Sequence, residues 1–162
     1  MKILLMTVLL FGLLSGCKAE MTMETVADTL DEPVLAQPRE IAVSLPGEAA
    51  VPAMENGSDR YYLCDDYEIA LETREGGDIS ATVADISGHD PEDLTVVKTR
   101  QAGADRYDFV WAAAGETGQQ LGRAAILDDG TYHYTMTVLR DAENTETLQV
   151  VWRQVFSSFG LS

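Results

Sequence analysis

Cysteine and histidine are nearly absent, with two of each in 162 residues. Stability must therefore come from a packed core rather than from a disulfide framework. Basic residues are also scarce: 11 Lys and Arg stand against 27 Asp and Glu, for a formal charge of -16. Nucleic-acid binding needs clustered cations to neutralise phosphates, so that class of partner is excluded. The same balance denies the chain a polybasic grip on anionic lipid. Long apolar runs are missing too. Ile3 to Leu14 spans 12 residues, broken by Thr7 and Gly12, where a membrane-crossing helix needs about 20. There is no internal repeat. Gly115-Glu116-Thr117-Gly118 precedes Gln119-Gln120 and has no lysine to make a phosphate loop.

The short apolar run follows Lys2 and ends in Leu14-Ser15-Gly16-Cys17. A positive charge, a short apolar core and small residues before a cut site are the layout of a secretory leader. Leu14-Ser15-Gly16-Cys17 resembles the lipobox of bacterial lipoproteins. The resemblance implies cleavage after Gly16 and a diacylglycerol thioether on Cys17. It places the protein outside the cytoplasm, anchored by lipid to the cell membrane or the outer membrane. Lys18 is not the Asp that retains such proteins on an inner membrane, which favours the outer one in a two-membrane cell. Each buried methylene adds about 0.8 kcal/mol, so two or three acyl chains anchor firmly where one does not.

Three segments follow from composition: a leader at 1–16, a lipidated Cys17 and acidic tether at 17–40, and one domain at 41–162. The tether carries Glu20, Glu24, Asp28, Asp31, Glu32 and Glu40, with Pro33 and Pro38 and no aromatic residue. It has too little apolar surface to fold by itself. With Cys17 lipidated, Cys64 is the remaining thiol. Its strand-like context, Tyr61-Tyr62-Leu63-Cys64, suits a small buried apolar residue.

From Ile41 the pattern alternates. Ile41, Val43 and Leu45 share one side before Pro46-Gly47, and Asn56-Gly57 and Gly76-Gly77 are turn signals. Tyr67, Ile69 and Leu71 alternate with Glu68, Ala70 and Glu72, as in a half-buried strand. Ile79 to Ile86 and Leu94 to Gln101 are further strand candidates. Between them, Asp90 caps a single helical turn with Pro91 at its first position. Tyr107, Phe109 and Trp111 share a strand face, Gly115 to Gly118 turns, and Arg123 to Leu127 returns. Asp129-Gly130 then leads into Tyr132, Tyr134, Met136 and Val138, completing an antiparallel meander. The period changes at the end. Leu148, Val151, Trp152, Val155, Phe156 and Phe159 follow helical spacing, with Asp141 or Asn144 as cap and Gly160 as stop.

The fold class is α+β, an antiparallel β-sheet with a packed C-terminal amphipathic helix. This order, with Val43-Ser44-Leu45-Pro46 after the first strand and Ser158-Phe159 at the helix end, resembles the PsbP-like fold. That resemblance implies an α/β/α sandwich over residues 41–162. A cystatin-like domain is the rival, although it would set its main helix near Pro46 and Pro52.

No catalytic motif, cofactor or metal set emerges. His133 lies between Tyr132 and Tyr134 on the face of Thr135 and Thr137, where a solvated histidine is expected. His89 sits among Asp90, Glu92 and Asp93 without zinc or calcium-loop spacing. Asp65-Asp66 and Asp128-Asp129 suit turns, and adjacent strand carboxylates point to opposite faces. The aromatic residues suggest more. Tyr61, Tyr107, Trp111, Tyr132 and Tyr134 are candidates for lining a shallow groove that takes an envelope protein or a glycan. Function is thus expected to be a non-enzymatic, membrane-tethered binding or accessory module of the cell envelope. The alternative is a metal-dependent factor or enzyme using the acidic loops near His89 or Asp128.

Overall fold

The computed structural model describes residues 36–114, 118–141 and 146–162. The expected leader, Cys17 and the expected tether as far as Leu35 lie outside the described residues, as do Gly115 to Thr117 of the expected turn and the expected Asn144 cap.

The first alternating stretch yields only a short strand, β1 (Ile41–Ala42), which pairs with the last residues of the chain. Beyond it, Ser44 donates its N–H to Ser158 Oγ at 2.9 Å, and a single helical turn at Gly47–Ala49 follows Pro46. The Asn56-Gly57 turn joins β2 (Met54–Asn56) to β3 (Asp59–Leu63), with Gly57 at φ +63° where a side chain would be strained. Then come β4 (Tyr67–Glu75), α1 (Ile79–Ser87) and the turn Pro91–Asp93, where Asp90 accepts from the Glu92 N–H as a cap. The second half holds β5 (Val97–Gln101), β6 (Ala104–Ala114), β7 (Gln119–Asp128), β8 (Tyr132–Asp141), α2 (Glu146–Ser158) and β9 (Gly160–Leu161).

Among the described residues the main sheet has seven strands in the order β2-β3-β4-β8-β7-β6-β5, all neighbours antiparallel. The α+β class and the antiparallel sheet therefore hold. One expectation does not. Ile79 to Ile86, taken for a strand, is the helix α1. Asp78 caps it by accepting from the Ser80 N–H, and Gly88 ends it at φ +71° with its N–H on the Ala84 carbonyl. The β-branched residues suggested a strand. Their spacing, Ile79, Val83 and Ile86, is that of a helical stripe, and the two caps settle the competition.

The two helices lie on opposite faces. On one, Trp152, Val155, Phe156 and the following Phe159 pack on Ile69, Leu71, Met136, Val138 and Tyr134. On the other, Ile79, Val83 and Ile86 pack on Phe109, Trp111, Ala124 and Ile126. Burying each large apolar side chain of this kind contributes about 1.5–3 kcal/mol. Parity along the strands decides the split. Even positions of β8 and odd positions of β7 face α2, and the remaining positions face α1.

α1 also corrects the expectation for His133. Its parity was read properly, but the face is covered, so His133 is buried, with Nδ1 2.8 Å from Thr82 Oγ1 of the helix.

Two positions carry the packing. Arg106, buried on the α2 face, holds Asp108 through both carboxylate oxygens at 2.7 and 3.0 Å. It also donates to the Phe156 carbonyl at 2.9 Å and the Phe159 carbonyl at 3.4 Å. Arg106→Met should lower stability by about 1.5–3 kcal/mol, since the half-buried Asp108 carboxylate and the Phe156 carbonyl lose their charged donor; a denaturant midpoint within error of wild type would contradict this. Gly122 lies directly across from Trp111, and a Cβ there would overlap the indole ring. Gly122→Val should cost about 1–3 kcal/mol or more through overpacking, read as a lower melting temperature.

Candidate functional site

β7 and β8 bring two arginines together on the face that α2 covers. Arg123 pairs across the ladder with Val138 and Arg140 with Leu121, so the two cations are diagonal neighbours. Diagonal side chains lie about 7–8 Å apart at their origins, within reach of long residues. From above, α2 presents Gln149, Trp152, Arg153 and Phe156 at helical spacing. Together these residues enclose a cleft of about 310 Å³, floored by Val110, Leu121 and Val138.

Most cations elsewhere in the fold are occupied. Arg74 meets Glu72 and Asp85, Lys98 meets Asp105, and Arg106 meets Asp108. Arg39, Arg60 and Arg100 donate to backbone carbonyls. Among the residues whose side chains are described, 36–114, 118–140 and 149–162, Arg123, Arg140 and Arg153 form no side-chain hydrogen bond or ion pair with one another or the rest, and all three line this cleft. One Arg140 nitrogen, Nη1, is buried without a partner. Arg123 lies over the Phe156 ring, 3.9 Å from its centre, a favourable cation–π contact.

Burial disfavours the charge on Arg123; Asp108 supports it, while Arg106 and Arg140 oppose it, and the net effect lowers its pKa. Asp108 is already engaged by Arg106. Burial likewise pushes the Arg140 guanidinium down. Arginine stays protonated regardless, so the outcome is fixed positive charge in a partly apolar cleft. Among the described residues, the side chains lining the cleft are aliphatic, aromatic, amide and guanidinium groups, suited to attracting and orienting an anion.

The five aromatic candidates do not form one surface. Tyr61, Tyr107 and Trp111 lie on the α1 face, and Tyr132 and Tyr134 lie on the α2 face. Trp111 and Tyr134 are buried in the two cores. The Tyr61 hydroxyl donates to Glu72 at 2.6 Å, which with burial raises its pKa to about 12. Tyr107 stands half-buried beneath the Lys98 ammonium. Tyr132 and Tyr134 hold the incoming chain: Tyr132 donates to the Ala36 carbonyl at 2.8 Å, and the Tyr134 hydroxyl accepts from the Arg39 N–H at 2.9 Å. Among the described residues, Ala36 and Arg39 are thus already in contact with the sheet.

The acidic loops are equally occupied. His89 Nε2 is 3.1 Å from the Ala112 carbonyl, and Asp128 accepts from the Gly130 N–H. Asp129 accepts from the N–H groups of Thr131 and Tyr132 and from the Tyr134 hydroxyl. Among the described residues no group of three or more His, Cys, Asp or Glu could hold a metal ion. Half-buried Cys64 stands just past β3, with its N–H on the Tyr67 carbonyl. The arginine cleft was missed in the sequence, although one signal was present. Arg123 falls at the parity of Leu121, Ala125 and Leu127, a charge on an apolar row.

No protein-family model matches this sequence, and no curated protein matches it either.

Asp129 yields a pH test. Burial acts to raise its carboxyl, but the Tyr132 and Thr131 amides and the Tyr134 hydroxyl together hold it below the usual range. A depressed carboxylate stabilises the fold above its unfolded pKa of about 3.9, and that contribution is lost as pH falls through the lower folded value. Asp129→Asn should therefore melt below wild type at pH 7, with the gap closing toward pH 2. A gap that stays constant over this range would remove the carboxylate from the account.

Proposed function

We propose that this chain is a lipid-anchored, extracytoplasmic binding module of the cell envelope, built on a PsbP-like domain and working through the cleft beneath α2. The observation that carries binding over catalysis is the content of that cleft. Among the described residues it gathers fixed cations, an amide and aromatic walls, and none of those side chains is a nucleophile or titrates near neutrality. Such a surface recognises charge without transferring protons or bonds.

Support for the tether comes from Leu14-Ser15-Gly16-Cys17 and the acidic stretch behind it. Among the described residues no helix is long and apolar enough to cross a membrane. Support for the PsbP-like reading comes from helices on both faces of an antiparallel sheet and from Ser158-Phe159 closing α2. Ser158 there accepts from the Ser44 N–H just before Leu45-Pro46, linking the two motifs that carry the resemblance.

Expressed in a bacterium fed an alkyne fatty acid, the full chain should take up label, and Cys17→Ser should lose it and accumulate as uncleaved precursor. Label retained in Cys17→Ser would end the tether reading.

A further inference from the structure

We propose that the cleft between α2 and strands β6 to β8 is a binding site for a small organic oxyanion: a carboxylate attached to an aromatic or branched apolar body. It rests on the reading of this cleft as the working surface, and names its ligand.

The charge comes first. The chain carries more than twice as many acidic as basic residues, yet Arg123, Arg140 and Arg153 converge on one cavity with no carboxylate bound to them among the described residues. Asp108, the carboxylate that supports the Arg123 charge, is already held by Arg106, so grouping the half-buried Arg123 and Arg140 costs stability in a fold with many carboxylates to spare. Arg140 Nη1 is buried and unmatched, a donor already stripped of water. An entering oxyanion would satisfy it, and guanidinium forks bind carboxylates through paired hydrogen bonds. Gln149 adds an amide that can donate to the same group.

The remainder of the cavity selects the rest of the ligand. Trp152 and Phe156 wall it, with aliphatic side chains beneath. At about 310 Å³ it sits at the lower end of the range of small-molecule pockets, about 300–1,000 Å³. That is room for one ring or branched side chain with its acid, whether a free acid or the C-terminal residue of a peptide. A bare inorganic anion would leave the apolar walls unused.

Calorimetric titration of the full chain in a non-ionic detergent, at low salt, tests this. Benzoate serves as the free acid, N-acetylphenylalanine as the chain end, and benzamide and inorganic phosphate as controls. Expected are saturable binding of at least one carboxylate, binding of benzamide and phosphate at least tenfold weaker, and at least tenfold loss in Arg123→Gln and Arg140→Gln. Tighter binding of N-acetylphenylalanine supports a peptide terminus as the source, and tighter benzoate supports a free acid. Arg140→Gln, which removes a half-buried charge with an unmatched nitrogen, should leave the ligand-free melting temperature unchanged or higher, whereas Arg123→Gln also gives up the cation–π contact with Phe156 and should melt slightly lower. Should either fail to fold, Arg153→Gln, exposed on α2, must still weaken binding. No carboxylate binding at millimolar concentration, equal binding of benzamide or phosphate, or undiminished affinity in the folded variants would overturn the proposal. The acylation experiment on Cys17 is independent of all these outcomes, so a failed ligand and a failed tether can be told apart.

Discussion

The Arg106 guanidinium is the joint through which the α2 layer is held to the sheet. It stands on β6, grips Asp108 two residues along the same strand, and donates to Gln101 of β5 and to the carbonyls of Phe156 and Phe159. Carbonyls at the end of a helix lack intrahelical partners, and a cation placed there satisfies them and matches the helix dipole. Every bond of the buried charge is thus used, the condition under which such a charge is tolerable in a core. Because Arg106 sets where α2 ends, it also sets where Phe156 and Trp152 fall over the sheet. The cleft geometry follows from that placement.

A second set of contacts closes the chain on itself. β1 pairs with β9, the Ser162 N–H meets the Glu40 carbonyl, and Arg60 holds the Ile41 carbonyl at 2.8 Å. Tyr132 and Tyr134 take up the segment from Ala36 to Arg39 with their hydroxyls, and Asp129 at the hairpin turn anchors Tyr134. The incoming chain is therefore fastened at the end of the sheet where the Asp129-Gly130 turn joins the central strands β7 and β8, and the last strand is paired to it. Hydroxyls used in this way give Tyr132 and Tyr134 a part in holding the chain. A buried or half-buried phenol needs a partner, and here the partner is the chain itself.

Legibility varied with the range of the determining interaction. The meander could be read because strand alternation and the Asp129-Gly130 turn act over a few residues. α2 could be read because its stripe, from Val151 to Phe156, has no competing period. α1 was misread because Ile79, Thr82, Val83 and Ile86 satisfy strand propensity, while Asp78 and Gly88 outside the segment decide in favour of a helix. His133 was placed on the correct face and assigned the wrong environment for the same reason: the helix that buries it had not been recognised. The aromatic candidates are divided for a different cause. Residue type identified the tyrosines, but parity within β3, β6 and β8 distributes them over two faces.

By itself the sequence determined the strand alternation of the second half, the amphipathic final helix, the acidic balance and the expectation of a lipidated Cys17. These depend on residue identity and on spacing within a segment, where backbone geometry imposes its own period. Tertiary structure decided which face each helix covers and that Arg123 and Arg140 become neighbours beneath Arg153. Those outcomes depend on the register between β7 and β8 and on where Arg106 holds α2. A single-residue slip in that register would send one arginine to the opposite face. Neither constraint is local to any stretch of the chain, so the cleft exists only once the layers have packed.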